Sequence, residues 1–335
     1  MCGIVGYVGA KKAAPLLIEG LRKLEYRGYD SAGIAVIHNK DVRIERAEGK
    51  LKNLSDKIKA NIPAGHIGIG HTRWATHGKP TERNAHPHRA GQVIVAHNGI
   101  IENYEALKKE LPQKGTELKS ETDTEIICQL INLALVKTDD FLNAFLLTLK
   151  KLEGSYALVV LDLNDPQRFY VAKKGSPLVI GYGQKENFVA SDIPAMLAHT
   201  RDFVFLEDGE VAVVSAPKVD FYLASGKSLR KKSRKVIWDA SQAEKEGFKH
   251  FMLKEIFEQP RALVDTLRGR IQVKDTDIEI RELEKVFKGK KFPPFNHLYI
   301  VACGTSWHAA MAGRYYIEAI AKIRVSVDTA SEFRY

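Results

Sequence analysis

The chain has 335 residues, 44% of them hydrophobic and 27% charged, an ordinary soluble composition long enough for two domains with separate cores. Its net charge of +10 is spread along the chain, and the densest run, Lys231-Lys232-Ser233-Arg234-Lys235, reads as a solvated linker, which argues against a nucleic-acid partner. Three cysteines without a CxxC pair exclude a disulfide scaffold, and no window approaches eighteen uninterrupted apolar residues, so the chain reads as cytoplasmic, with no membrane partner.

In chain order, the first signal is Met1-Cys2-Gly3-Ile4-Val5-Gly6. Removal of Met1 would leave Cys2 with a thiol and a free α-amine on one residue, a nucleophile carrying its own base. The competing reading is a cysteine that merely starts a buried strand. Leu17, Leu21 and Leu24 then fall on one helical face after Pro15, and Ser31–His38 with Asp41–Ala47 reads as a hairpin. The stretch Gly70-His71-Thr72-Arg73-Trp74-Ala75-Thr76-His77-Gly78 reads as a polar loop. Its arginine fork suits a carboxylate, and Thr76 and His77 can add donors. His66, His71, His77, His86, His88 and His97 cluster in sequence but lack metal-ligand spacing, so no metal is expected.

Val93–His97 is a strand that ends in Asn98-Gly99. An Asn amide and a Gly N–H can face one point, as an oxyanion hole requires, although Asn-Gly is also a hairpin turn. Thr122 with Glu125 predicts a capping box, placing Asp123 at a helix start, where it could also grip an ammonium. Leu142, Phe145, Leu149 and Leu152 predict a helix stopping at Gly154. Tyr156–Asp162, Arg168–Lys173, Asn187–Ser191, Phe203–Leu206 and Glu210–Val214 are strand candidates. Beyond about residue 225 the chain becomes charged, with helices predicted at Phe248–Glu258 and beyond Pro260. Leu298–Ala302, a helix after Cys303-Gly304-Thr305-Ser306, and Val325–Asp328 form one β-α-β unit. Such a unit cannot bury both faces of a sheet alone, so the chain is expected to stop inside its second domain.

Cys2, Arg73, Asp123, Asn98 and Gly99 make a set that glutamine would use at once: a nucleophile, a carboxylate clamp, an ammonium clamp and an oxyanion hole. These residues resemble the glutamine-dependent amidotransferases of the N-terminal-nucleophile class. Within that class the chain is similar to the glutamine–fructose-6-phosphate aminotransferase family. The similarity includes Leu24–Gly33, His71–Gly78, His97–Gly99, Ser120–Glu125, His250–Ile256 and Ala302–Ser306.

The resemblance implies an α+β four-layer αββα sandwich over residues 2–225, a connector at 226–294, and at 295–335 the start of an α/β sugar-isomerase domain. It implies Cys2 as nucleophile, Asn98 and Gly99 as oxyanion hole, and Arg27 supporting the closed site. Arg73, Thr76, His77 and Asp123 would bind glutamine, and Trp74 would gate ammonia. Cys303, Gly304, Thr305 and Ser306 would open a fructose 6-phosphate site. No cofactor is called for, and a homodimer is expected of the full-length family. Rival readings are another amidotransferase of the same class, coupled to phosphoribosyl transfer or asparagine formation, and a non-catalytic phosphosugar-binding protein.

Overall fold

The computed structural model describes residues 2–39, 41–75, 78–111, 118–138, 140–236, 248, 250–267, 271–274, 277–280 and 294–333. They divide into two units, Met1–Gly247 and Phe248–Tyr335. Among the described residues no helix is long and apolar enough to cross a membrane.

The strands of the first unit begin with β1 (Gly3–Val8), β2 (Ser31–His38), β3 (Asp41–Glu48), β4 (Ile67–Arg73) and β5 (His88–Ala90). β6 (Val93–Ile101), β7 (Gly154–Asp162), β8 (Arg168–Lys174), β9 (Val179–Tyr182) and β10 (Asn187–Ala190) follow. The series ends with β11 (Asp202–Phe205), β12 (Glu210–Ser215), β13 (Val219–Leu223), β14 (Ser228–Leu229) and β15 (Arg234–Lys235). Its helices are α1 (Ala13–Lys23), α2 (Leu51–Lys59), α3 (Tyr104–Glu110), α4 (Asp123–Leu135) and α5 (Phe141–Leu149). One antiparallel sheet runs β15-β11-β9-β10-β1-β4-β2-β3 and the other β14-β13-β12-β8-β7-β6-β5.

Strand alternation builds four layers from these two sheets. Side chains on successive strand residues point to opposite faces. Ile4 and Val8 therefore join Ile94, Ala96, Val159 and Phe169 between the sheets, while Val5 and Tyr7 pack with Leu17 and Leu21 of α1. On the far sheet, Val93, Val95, Leu158 and Val160 face Ile127, Ile131 and Phe145 of α4 and α5. The αββα order expected from the sequence is present, because each sheet has one apolar face for its partner and one for helices.

Three local expectations change. Gly70–Gly78 reads as a polar loop in sequence, yet its first four residues complete β4, all seven of whose residues are buried between β1 and β2. The His-Thr-Arg ending hides it from a hydrophobicity pattern. β6 does not turn at Asn98-Gly99: it continues to Ile101, with Gly99 opposite Tyr156 at φ +140°. A Cβ on Gly99 would sit 2.0 Å from the Ser155 carbonyl oxygen, so only glycine lets the strand pass. Third, the basic run past residue 225 is not simply solvated. Lys231 pairs with Glu210 and donates to the Phe205 carbonyl at 2.8 Å, and β15 pairs with β11. A long cationic stem and a short strand cover this sheet edge.

The capping box at α4 forms only in part. Thr122 Oγ1 accepts from the Glu125 N–H at 3.4 Å, but the Glu125 carboxylate reaches further back, to the N–H groups of Lys119 and Ser120.

In the second unit, α6 (Phe251–Leu267) runs through Pro260, so the two helices expected there are one. Proline costs a helix one internal hydrogen bond, but flanking turns can carry the axis past it. β16 (Ile271–Lys274) and β17 (Asp277–Ile280) form an antiparallel pair. β18 (His297–Ala302), α7 (Gly304–Ala321) and β19 (Arg324–Thr329) form the expected β-α-β unit, with parallel strands in register from His297 opposite Arg324.

Phe169 fills the layer between the sheets and is fully buried. Phe169→Ala is expected to cost about 3–5 kcal/mol of stability. The check is a lowered denaturant midpoint with an unchanged slope in equilibrium unfolding.

Candidate functional site

Antiparallel pairing of β1 with β4 sets Gly3 opposite Thr72, which brings Cys2 beside Arg73 and Trp74. The Cys2 Sγ accepts the Trp74 N–H at 3.2 Å, and the Cys2 carbonyl accepts from Asn98 Nδ2 at 3.0 Å and from Arg27 Nε at 3.2 Å. Burial pushes the thiol pKa up, against the lowering effect of the Trp74 N–H. At neutral pH the sulfur is therefore protonated, and a base is needed when it attacks.

The orientation of Asn98 is set by a histidine. His71 is fully buried on β4, and its Nε2 lies 3.0 Å from both the His97 carbonyl and Asn98 Oδ1. A nitrogen facing two acceptors carries the proton, so His71 is the Nε2–H tautomer. Its pKa is drawn down to about 3, first by burial and then by the Arg73 charge, which keeps the ring neutral. Turning the Asn98 amide over would set N–H against N–H at His71 and oxygen against oxygen at Cys2. Both contacts then hold one orientation, with the Asn98 amide nitrogen toward the cysteine.

Arg73 ends β4 with its guanidinium buried, donating to the carbonyls of Lys79 at 3.2 Å and Gly78 at 3.3 Å. Asn84 fixes that loop, giving Nδ2 to the Lys79 carbonyl and accepting the Glu121 N–H, both at 3.0 Å. Asp123 opens α4, buried, and its Oδ2 accepts the Ile101 N–H at 3.1 Å. Helix α4 is thereby pinned to the strand that carries Asn98. Arg27 also pairs with Asp192 at 3.1 Å, which receives the Tyr26 hydroxyl at 2.7 Å. Gly28 lies against the Arg73 backbone, where an added Cβ would meet the carbonyl carbon at 2.7 Å.

Cys2, Arg27, Arg73, Trp74, Asn98, Gly99 and Asp123 are thus joined by these elements. Thr76 and His77 lie outside the described residues. Trp74 is half-exposed, its ring edge-on to Tyr29 at 5.5 Å. Cys303, Gly304, Thr305 and Ser306 are exposed where β18 gives way to α7, with Gly304 at φ +61°. The sequence alone assigns no role to His71, Asn84 or Asp192. The signal for His71 is the alternation of isoleucine and glycine that leads into it from Ile67, which marks a strand running into the polar stretch.

Of the clustered histidines, His71, His86, His88 and His97 are buried together, while His66 is exposed and His77 lies outside the described residues. His86 Nε2 and His97 Nδ1 each lie 3.1 Å from Thr124 Oγ1, and His88 Nε2 lies 3.0 Å from Thr122 Oγ1. The His71 and His86 rings are 4.2 Å apart. His86 and His88 also have pKa values far below the usual histidine range, chiefly through burial.

Residues 71–198 match the family of glutamine amidotransferase domains. The whole chain is 48% identical to a glutamine–fructose-6-phosphate aminotransferase (isomerizing) from Caldanaerobacter subterraneus, of which it covers 55%. The chain therefore spans about half the length of the curated relatives it matches. Among solved structures, it is similar to an allosteric regulatory enzyme of purine biosynthesis, with TM-score 0.59 and 25% identity over 67% of this chain and 49% of that one. A glutamine phosphoribosylpyrophosphate amidotransferase from B. subtilis has TM-score 0.59 at 20% identity, over 97% of this chain and 65% of that one, a likeness of fold.

The depressed histidine pKa values have a consequence for acid stability. Below the ordinary histidine pKa of about 6.5 the unfolded chain takes up protons that folded His71, His86 and His88 refuse. Stability from these groups is present above about pH 6.5 and is lost as pH falls toward the folded values. Each contributes a slope of up to about 1.4 kcal/mol per pH unit. Denaturant midpoints measured from pH 7 to pH 5 should fall, and His71→Gln should flatten that fall. Heteronuclear NMR should show His71 neutral with the proton on Nε2 throughout.

Proposed function

We propose that this chain, whose residues 71–198 match the family of glutamine amidotransferase domains, carries the glutamine-hydrolysing half of an aminotransferase whose acceptor is fructose 6-phosphate. The observation that supports this reading best is the buried His71–Asn98 hydrogen bond, which aims an amide donor at Cys2, whose sulfur-bearing side chain is partly exposed. Such a fixed donor suits an oxyanion that forms when that sulfur attacks a carbonyl.

In this reading Met1 is removed and the Cys2 α-amine, acting through a water, takes the thiol proton. The thiolate attacks the side-chain carbonyl carbon of glutamine, and the oxyanion is held by Asn98 Nδ2 and the Gly99 N–H. Collapse breaks the carbon–nitrogen bond, and ammonia leaves with the proton the amine had stored. Water then hydrolyses the thioester, giving glutamate and the free thiol. Arg73 holds the substrate carboxylate and Asp123 its ammonium, with Thr76 and His77 adding donors. Arg27 ties the Cys2 carbonyl to Asp192, which keeps the nucleophile in place.

Trp74, half-exposed beside the sulfur, suits control of where ammonia goes. The hydroxyls and N–H groups of Cys303, Gly304, Thr305 and Ser306 feed a helix N-terminus, a chemistry that fits the phosphate or hydroxyls of a sugar phosphate. Similarity over the whole of this chain, and about half of theirs, to relatives named for fructose 6-phosphate favours that acceptor over phosphoribosyl transfer, where the likeness is of fold.

Mass spectrometry of the purified chain should show Met1 absent and one adduct of a glutamine-like diazoketone, on Cys2. Active protein that retains Met1, or labels elsewhere, would overturn the reading. Arg73→Ala should raise KM for glutamine roughly 10- to 100-fold with kcat little changed, as loss of a charge-assisted hydrogen bond predicts. Asn98→Ala should lower kcat about 100- to 1000-fold. Adding His71→Leu to Asn98→Ala should cost little more, because the histidine acts through that amide; full additivity would argue against the link.

A further inference from the structure

Away from the cysteine, on the outer side of the α4 N-terminal turn, lies a cavity of about 450 Å³. Its walls carry Arg46 from β3, Arg83, Arg89 from β5 and Lys119, with Glu125 as the one acidic side chain. Nothing in the glutamine reading uses these cations.

The three arginines are held in place by backbone carbonyls. Arg46 gives Nε and Nη2 to the Pro87 carbonyl at 2.9 and 2.6 Å, Arg89 gives Nε to the Gly91 carbonyl at 2.9 Å, and Arg83 gives Nε to the Lys119 carbonyl. A guanidinium has five N–H donors in a rigid fork, so each retains donors after being anchored.

Glu82 and Glu125 near Arg46 and Glu121 near Arg83 offset part of this charge, and Glu121 also accepts from Asn84 Nδ2 at 2.9 Å. Among the described residues none of these four cations forms an ion pair within 4.0 Å. Glu125 is committed to the N–H groups of Lys119 and Ser120 at 2.8 and 2.5 Å. Glu82, close to Arg46 in the fold, is bound by Lys57 at 2.6 Å. Four cations against one lining carboxylate leave an excess of positive charge around the concavity, which raises the local concentration of anions, and pinned guanidiniums lose little entropy on binding one.

We propose that Arg46, Arg83, Arg89 and Lys119 form a binding site for a small phosphate-bearing anion. Phosphate oxygens match the planar fork of arginine, and several forks around one cavity suit more than one phosphoryl oxygen at a time. An isolated monovalent anion such as chloride would engage only one of them.

The test is calorimetric titration of the whole chain with inorganic pyrophosphate in 0.15 M sodium chloride, so that diffuse attraction to a +10 protein is screened. One saturable site is expected. The double variant Arg83→Ala/Arg89→Ala, both exposed side chains, should weaken binding at least 10-fold, whereas Lys227→Ala/Lys232→Ala, which removes the same charge elsewhere, should leave it unchanged. Arg46→Lys keeps the charge but loses the fork and should give an intermediate loss. Parallel titrations with orthophosphate, a hexose 6-phosphate and a nucleoside diphosphate rank the source of the phosphate. No saturable binding by any of the four at millimolar concentration overturns the proposal, as does equal weakening in the two double variants. The readout is independent of glutamine, so loss of the glutaminase reading would leave this result standing.

Discussion

A proton on one buried imidazole nitrogen governs the arrangement around Cys2. His71 holds it on Nε2 between two oxygens, and Asn98 cannot rotate its amide without breaking contacts at both ends. Because burial keeps the ring uncharged, the contact is insensitive to pH across the neutral range. An amide in solution would sample both orientations. Here the donor is set before any substrate arrives, and such preorganisation avoids reorganising dipoles during a reaction.

That contact exists only because two sheets meet face to face. β4 carries His71 and Arg73 in one sheet, and β6 carries His97 and Asn98 in the other. Their polar ends share an interior that is otherwise Ile, Val, Ala, Leu and Phe. Unpaired polar groups would be costly there, and most are satisfied by one another: His97 and His86 by Thr124, His88 by Thr122, Asp123 by the Ile101 N–H. Helix α4 enters this cluster with its N-cap and first turn, supplying Thr122, Asp123, Thr124 and Glu125 in four successive positions. One helix terminus thus secures the histidine core, Asp123 and a wall of the basic cavity.

Much of this was legible in short motifs. Cys2 and Arg73, Asn98 with Gly99, and Asp123 each stand in stretches whose residue types suit the amide-cleaving chemistry proposed for them. The alternations in β6, β7 and β8 are plain because apolar residues face both a helix layer and the other sheet. β4 was not legible, since its last three residues are polar while its environment is buried. Nor was the path of β6 through Asn98-Gly99, where a dipeptide that usually turns a hairpin instead lets a strand pass tightly by Ser155. Lys231 likewise looks solvated in sequence and is drawn to Glu210 only across the fold.

The amino-acid sequence by itself determined which chemistry is present: a sulfur next to the chain start, an arginine fork, an amide donor and a carboxylate. It also determined the strands and helices whose periods of 2 and 3.6 residues expose an apolar face. Tertiary structure alone decided which histidine carries its proton where, which way Asn98 points, and which arginines are left without a carboxylate. Those outcomes depend on distances between residues tens of positions apart and on the removal of water around them. Local sequence carries neither quantity.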